Sequence, residues 1–213
     1  FAAPRQAAAA GIGVFYQDLS LIARMTVAEN VYLGREPRGR LGCADRPAMR
    51  AATLGALAQF GQVAAVRIDP EARVGALSAD QGQIVEIVKV LAANPRIVIF
   101  DEATAALDRD QVNALFARIR VLKAEGRSII FITHRMDEVF EIADRVTVMR
   151  DGLTVVTRQC ARTTREEVVE AMVGELSAAK APRGRHAPGV DPALAVDNLA
   201  SETLADICFE LRR

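Results

Sequence analysis

The sequence predicts an α/β fold built on a mostly parallel sheet. Three observations carry that expectation: short apolar runs of strand-forming residues at 12–15, 97–100 and 129–132, amphipathic helical repeats on both sides of the middle run, and a polar side chain just past the carboxyl end of each run. The run Ile97-Val98-Ile99-Phe100 is the most telling. Four consecutive β-branched or aromatic residues predict a strand buried on both faces, and it ends abruptly in Asp101 and Glu102 with no basic residue beside them. Two readings stand at this point. Either the acids face a ligand crevice, where a cation or polar substrate compensates them, or they cap the helix that follows.

Each element has its own local signal. An Ala-rich stretch, Ala7 to Ala10, predicts a helix that turns at Gly11 into the strand Ile12 to Phe15, with Gln17 just past its end. Residues 18 to 34 predict a loop and a short helix opening near Thr26; Arg35 to Pro47, rich in Gly, Pro and Arg, predicts an exposed loop. Ala48 to Phe60 predicts a helix closed by Gly61. Ser78 with Gln81 forms a capping box for a helix whose apolar positions Ile84, Ile87, Val88, Leu91 and Ala92 recur at helical spacing. Asn94-Pro95 stops that helix and launches the 97–100 strand.

Beyond the acids, Asp108 is placed to cap a helix with the stripe Val112, Leu115, Phe116, Ile119 and Leu122, ended by Gly126. Ile129 to Ile132 is a further strand with Thr133-His134 at its carboxyl end, and Arg135 to Ala143 a short helix. Val146 to Met149 and Leu153 to Thr157 flank Asp151-Gly152 as a β-hairpin. Thr164 to Val173 reads as a last amphipathic helix closed by Gly174. Ser177 to Asp191, with Pro182, Gly184, Pro188 and Gly189 among three cations, is a linker. The domain expectation is therefore a main body at 1–175 with a helical part at about 18–93, a linker at 176–192, and at 193–213 the start of a second domain too short to bury a core alone. Opening on Phe1 rather than Met and closing on Leu211-Arg212-Arg213, the chain reads as cut at both ends.

Composition narrows the function classes. Lys plus Arg and Asp plus Glu number 27 each in 213 residues, so no overall field steers the chain toward nucleic acid. Cys43, Cys160 and Cys208 lie far apart without metal-ligand spacing and read as reduced cytosolic thiols. No apolar run approaches the ~20 residues of a membrane span, and nothing resembles a signal peptide, so membrane association is expected to run through a partner protein.

Gln17, the pair Asp101-Glu102, and His134 are thus placed independently at the carboxyl ends of three apolar strands, which in a parallel sheet share one edge. An amide, two carboxylates and an imidazole there suit a divalent metal, an attacking water and a phosphate. Asp101 would hold Mg²⁺ directly or through its waters, with Gln17 reaching metal and water; Glu102 would orient or deprotonate the water, and His134 would donate to the terminal phosphate. The capped helix at Ser78 adds an anion site through its free N–H groups. Taken alone, His134 also suits a structural histidine at a strand end.

These residues resemble the ATP-binding subunits of ABC transporters, and within them the tandem-cassette ATPases of bacterial monosaccharide importers of the ribose, galactose and xylose type. Tyr16-Gln17-Asp18-Leu19-Ser20-Leu21, with Thr26 to Asn30 and Leu33 to Pro37, is similar to the Q-loop region of that sugar group. Leu77 to Gln81, continuing through Gln83 to Ile87, resembles the signature motif; Ile97 to Glu102 resembles Walker B, Ala105 to Asp108 the D-loop, and Thr133-His134 the switch histidine. Asp191 to Arg213 resembles the opening of a second cassette. The resemblance implies a partial P-loop NTPase-like domain in which Glu102, His134 and Gln17 are catalytic, Ser78, Gln81, Asp101 and Asp108 touch nucleotide, and Asp101 and Gln17 serve Mg²⁺. It further implies ATP as cofactor, a second ATPase cassette, membrane-spanning permease subunits and, indirectly, a periplasmic sugar-binding protein as partners. The implied location is peripheral, on the cytoplasmic face of the bacterial inner membrane.

Two features depart from that pattern. Gly-x-x-x-x-Gly-Lys-[Ser/Thr] appears nowhere, and none of Lys89, Lys123 and Lys180 follows a glycine. Asp80 stands in the signature where a small residue or glycine is usual, and an acid in that first turn favours the helix dipole while repelling an incoming phosphate. Two other readings therefore remain open, a degenerate non-hydrolysing cassette acting as a binding or regulatory module, and a soluble ABC-type ATPase.

Overall fold

The sheet that organises the molecule is parallel, as the apolar runs predict. In the computed structural model, which describes residues 3–39, 42–61, 68–173, 192–199 and 207–212, strands β1 (Ile12–Phe15), β2 (Ile97–Asp101) and β3 (Ser128–Ile132) lie in the order β1-β2-β3. Register places Phe15, Phe100 and Phe131 side by side, one row inside the carboxyl edge. Their rings form a ladder, with centroids 6.5 Å apart from Phe15 to Phe100 and 6.0 Å from Phe100 to Phe131. Phe116 of the helix over β3 meets Phe131 edge-on at 5.8 Å.

The expectation that Ile97 to Phe100 is buried on both faces is half right. Val98 and Phe100 are fully buried, while Ile97 and Ile99, on the opposite face, are only half-buried. On β3 that second face is more open still: Ile130 and Ile132 are 50% and 48% exposed. The reason is coverage. Helices α4 (Ala79–Ala92) and α5 (Arg109–Ala124) pack on β1 and β3 and bring Val90 and Phe116 to the Phe15 face. Gly13 permits that approach, since a Cβ there would stand 2.9 Å from Pro95 Cγ and 3.0 Å from Val90 Cγ1.

Helix α1 (Pro4–Ala9) begins earlier than its Ala run suggests, because Pro4 at its first position is preset for helix entry. Helix α2 (Val27–Tyr32) opens on Thr26, whose hydroxyl accepts from Glu29 N–H at 3.2 Å while Glu29 accepts back from Thr26 N–H at 2.9 Å. Buried Asn30 holds the entry to α2 by accepting from Ile22 N–H at 2.7 Å and donating to the carbonyls of Ile22 and Thr26. Helix α3 (Arg46–Gly61) starts two residues ahead of the predicted Ala48, because Asp45 accepts from Ala48 N–H at 3.0 Å and caps the end. Helices α2, α3 and α4 pack on one another, and α4 also packs on β1.

After β3 come α6 (Met136–Ile142), the neighbouring strands β4 (Arg145–Arg150) and β5 (Leu153–Gln159), and α7 (Arg165–Val173). Asp151 and Gly152 have φ of 52° and 76°, the left-handed pair that a two-residue type I′ hairpin requires. Strands β6 (Pro192–Leu199) and β7 (Ile207–Arg212) pair antiparallel. The predicted linker, apart from Pro192, and the closing Gly174 lie outside the described residues. The chain divides into two compact units, Phe1–Thr147 with Thr157–Arg165, and Val148–Val156 with Glu166–Arg213. No helix among the described residues is long and apolar enough to cross a membrane.

Candidate functional site

The carboxyl edge of the β1-β2-β3 sheet gathers three of the sequence-predicted site residues. Gln17 follows β1, Glu102 follows β2 and His134 follows β3, and the parallel register brings the strand ends level. Gln17 Nε2 donates to Glu102 Oε2 at 3.2 Å, and His134 Nδ1 stands 3.1 Å from Glu102 Oε1. One carboxylate thus joins an amide and an imidazole drawn from three separate strands. Its partners take one lone pair on each oxygen and leave the others for a water or a substrate proton.

Glu102 is held there at a cost. Its φ of 51° lies in the left-handed region, worth about 1–3 kcal/mol of strain for a residue with a side chain. Its backbone N–H donates to Ile132 O at 3.0 Å, which ties the turn after β2 to the end of β3. Gln83, buried on α4, accepts from Ala106 N–H at 3.1 Å and donates to Glu102 O at 3.5 Å, bracing the same turn from the other side. Asp101, last in β2 and paired in register with Ile132, is half-buried and shares the sheet face of Ile97 and Ile99. The residue that caps α5 is Asp108 rather than Asp101 or Glu102, accepting from Gln111 N–H at 2.8 Å while Gln111 Oε1 accepts from Asp108 N–H at 3.0 Å.

A second polar cluster sits at the start of α4. Gln81 Oε1 accepts from Ser78 N–H at 3.1 Å, the return half of the predicted box. The Ser78 hydroxyl donates to Asp80 Oδ1 at 2.5 Å, and Gln111 Nε2 donates to Asp80 Oδ2 at 2.8 Å. The hydrogen bond from Ser78, and after it the one from Gln111, holds the Asp80 carboxyl below the usual carboxylate range. Ser78, Gln81 and Asp108, all predicted nucleotide contacts, therefore belong to one network through Asp80 and Gln111. Ser78 and Asp80 do not meet Gln17, Glu102 or His134 directly; Gln83, one turn along α4, makes the link.

The donor set at the sheet edge suits magnesium rather than a softer ion. Asp101 offers a carboxylate and Gln17 an amide oxygen, its nitrogen being used on Glu102, and Mg²⁺ favours a few hard oxygens while keeping waters and phosphates for the rest. Among the described residues no group of three or more His, Cys, Asp or Glu gathers into a closed metal cage. Among the described residues no phosphate cradle is built around a free lysine. Lys89 is engaged with Ser20 and Glu86, Lys123 with Asp144, and the α4 N-terminus carries its own anion in Asp80.

Gln83, Gln111, Thr104, Thr133 and Glu138 were not singled out as site residues by sequence. A signal existed for the two glutamines: each sits on the apolar stripe of its helix, where a polar side chain must find a buried partner.

A family model described as "ABC transporter" matches residues 2–105. Ribose import ATP-binding protein RbsA of Chromobacterium violaceum is 45% identical over 207 residues, 97% of this chain and 40% of that protein. Ribose import ATP-binding protein RbsA 2 of Burkholderia cenocepacia is 43% identical over 203 residues, 95% of this chain and 39% of that protein. The chain thus spans about two fifths of the length of these curated relatives. Among solved structures, a dimeric ATP-binding cassette in a post-hydrolysis state bound to ADP and Pi superposes with a TM-score of 0.60 at 25% identity, over 72% of this chain and 64% of that one. A further ATP-binding cassette of an ABC transporter matches in fold, with a TM-score of 0.62 at 23% identity over 80% of this chain and 72% of that one.

Proposed function

The chain belongs to the ABC transporter family as a partial ATP-binding cassette, and on that premise we propose that it is the part of a sugar-importer ATPase that orients and deprotonates the attacking water. The meeting of Gln17 and His134 on the two oxygens of Glu102 carries this reading. Glu102 accepts the proton of a water placed against its remaining lone pairs, Gln17 fixes the orientation of that carboxylate, and His134, whose Nδ1 faces the carboxylate, leaves Nε2 free for the phosphate on which negative charge builds, a donor there when the imidazole carries both protons. Asp101 and the Gln17 amide oxygen would hold Mg²⁺, which would supply positive charge to neutralise the phosphates of ATP. Ser78, Gln81 and Asp108 form the nucleotide-facing end of α4 and α5. Because Gly-x-x-x-x-Gly-Lys-[Ser/Thr] appears nowhere in the 213 residues, this chain alone is expected to hydrolyse no appreciable ATP.

In the assembled importer the remaining phosphate contacts and a second cassette come from outside these residues. Closure on ATP drives membrane-spanning permease subunits at the cytoplasmic face of the inner membrane. The cargo is a monosaccharide delivered by a periplasmic binding protein; the relatives are named for ribose import. The test grafts residues 3–173 into the matching region of the Chromobacterium violaceum relative. Magnesium-dependent ATPase activity that survives the graft and is lost in Glu102→Gln supports the reading, and activity insensitive to Glu102→Gln sinks it.

One observation favours a second reading for the α4 end. Asp80 already accepts the Ser78 hydroxyl hydrogen bond and places an anion at the helix N-terminus, which supports a weak or inactive ATP site on that side.

A further inference from the structure

Glu138 has no part in the chemistry above, yet it is only 4% exposed, and a carboxylate taken out of water has to be compensated. Its Oε2 accepts from two hydroxyls, Thr133 Oγ1 at 2.7 Å and Thr104 Oγ1 at 3.0 Å, and Arg135 Nη1 stands 2.9 Å from Oε1. The two threonines lie on different segments of the candidate site. Thr133 immediately precedes His134, and Thr104 is the second residue after Glu102. Thr133 Oγ1 also accepts from Arg135 N–H at 3.0 Å, which closes the turn carrying His134 onto the same hydroxyl.

We propose that Glu138 is the positioning residue of this site: by bridging Thr104 and Thr133 it holds the turn bearing Glu102 and the turn bearing His134 in the register that sets Nδ1 against the carboxylate. Both turns need such a restraint. The His134 side chain is 70% exposed and so is not located by packing, and Glu102 sits in a strained backbone conformation that persists only where its surroundings over-determine it. Gln83 restrains the Glu102 turn from α4, but it does not touch the His134 segment. Of Gln83 and Glu138, Glu138 is the one that bonds to side chains on both turns, in addition to the bond from Glu102 N–H to Ile132 O. A buried acid is weak evidence for stability as such, since an apolar side chain of similar volume often serves a core as well or better. Specifying one arrangement of two loops is the better account of its place here.

The effect on hydrolysis rests on the function proposed above; the geometry can be tested without it. The sequence contains two histidines, so in a His186→Gln background the imidazole signals of His134 stand alone in a side-chain NMR spectrum of the chain. Glu102→Gln marks where those signals move when the carboxylate partner is altered. Thr104→Val removes one of the two bridging hydroxyls at nearly constant volume, and Glu138→Ala removes the bridge entirely. Both are expected to move the His134 signals the same way as Glu102→Gln, with Val88→Ala, a core truncation away from the site, leaving them in place. Should Glu138→Ala not fold, Thr104→Val decides alone. His134 signals unmoved in Thr104→Val and in any folded Glu138→Ala would reduce Glu138 to a structural acid and overturn the proposal. In the graft with the Chromobacterium violaceum relative, Glu138→Ala is expected to lower kcat about tenfold with KM unchanged. An unmutated graft without ATPase activity would count against the proposed function, while the NMR shifts would still decide the positioning role; a rise in KM alone would overturn that role.

Discussion

Glu102 and Asp80 are both carboxylates at the edge of a regular element, and their partners make them opposites. Glu102 is met by Gln17 and His134, side chains that have no capping duty and come from the ends of two other strands. Asp80 is met by Ser78 and Gln111, each of which belongs to the cap of a helix, so its oxygens are taken up in holding α4 to α5. Charge and exposure alone would not separate them. An acid available for chemistry is one whose donors are themselves free to turn toward a ligand, and an acid whose donors are caps is part of the frame.

That comparison can be broken from either side. The largest expected effect is structural: Phe100→Ala empties the centre of the ring ladder under the Glu102 edge and should cost about 3–5 kcal/mol in urea unfolding. Next, in the grafted protein Glu102→Gln should lower kcat about 10²–10⁴-fold with little change in unfolding midpoint, because it removes a base and keeps the shape. Asp80→Gly should behave in the reverse sense. It frees the Ser78 hydroxyl and the α4 N-terminus and should raise ATPase activity, while loss of the cap-to-cap link lowers stability by about 1 kcal/mol. Unchanged activity would remove Asp80 from suspicion.

The smallest effect is in acid. Hydrogen bonds, first from Ser78 and then from Gln111, lower the Asp80 pKa, so the folded state binds fewer protons there than the unfolded chain. The stability this provides is complete above the unfolded carboxylate pKa, ~4, and is lost as pH falls through that value and on through the lowered folded one. Glu29, lowered chiefly by the Thr26 backbone N–H, titrates in the same sense. Urea midpoints measured downward from about pH 5 should therefore fall less steeply in Asp80→Asn than in the parent chain.

Much of the frame was legible because its signals are local. Apolar runs announced β1, β2 and β3, stripes announced α4 and α5, and Ser78, Thr26 and Asp108 each lie where a helix opens. The candidate edge was legible too, since parallel strands of similar length carry the residues after their ends to one side. Helix starts were misjudged where a single residue outweighed the pattern, Pro4 for α1 and Asp45 for α3. The burial of Ile97 and Ile99 was overestimated for a different reason. A run of apolar residues says that a strand can be covered on both faces, and says nothing about which face a helix reaches.

By itself, then, the sequence determined the order of elements, the parallel sheet and the identity of Gln17, Glu102 and His134 as residues that would meet. Tertiary structure alone decided that Phe100 faces the helices and Ile99 the open side, that Gln83 braces the Glu102 turn, that Asp80 joins two caps, and that Glu138 ties two site loops together. The division has a physical cause. Periodicity and capping arise between residues a few positions apart, whereas the bonds of Gln83 to the Glu102 turn, of Asp80 to Gln111 and of Glu138 to Thr104 span 19 to 34 residues and form only when the sheet closes around its core.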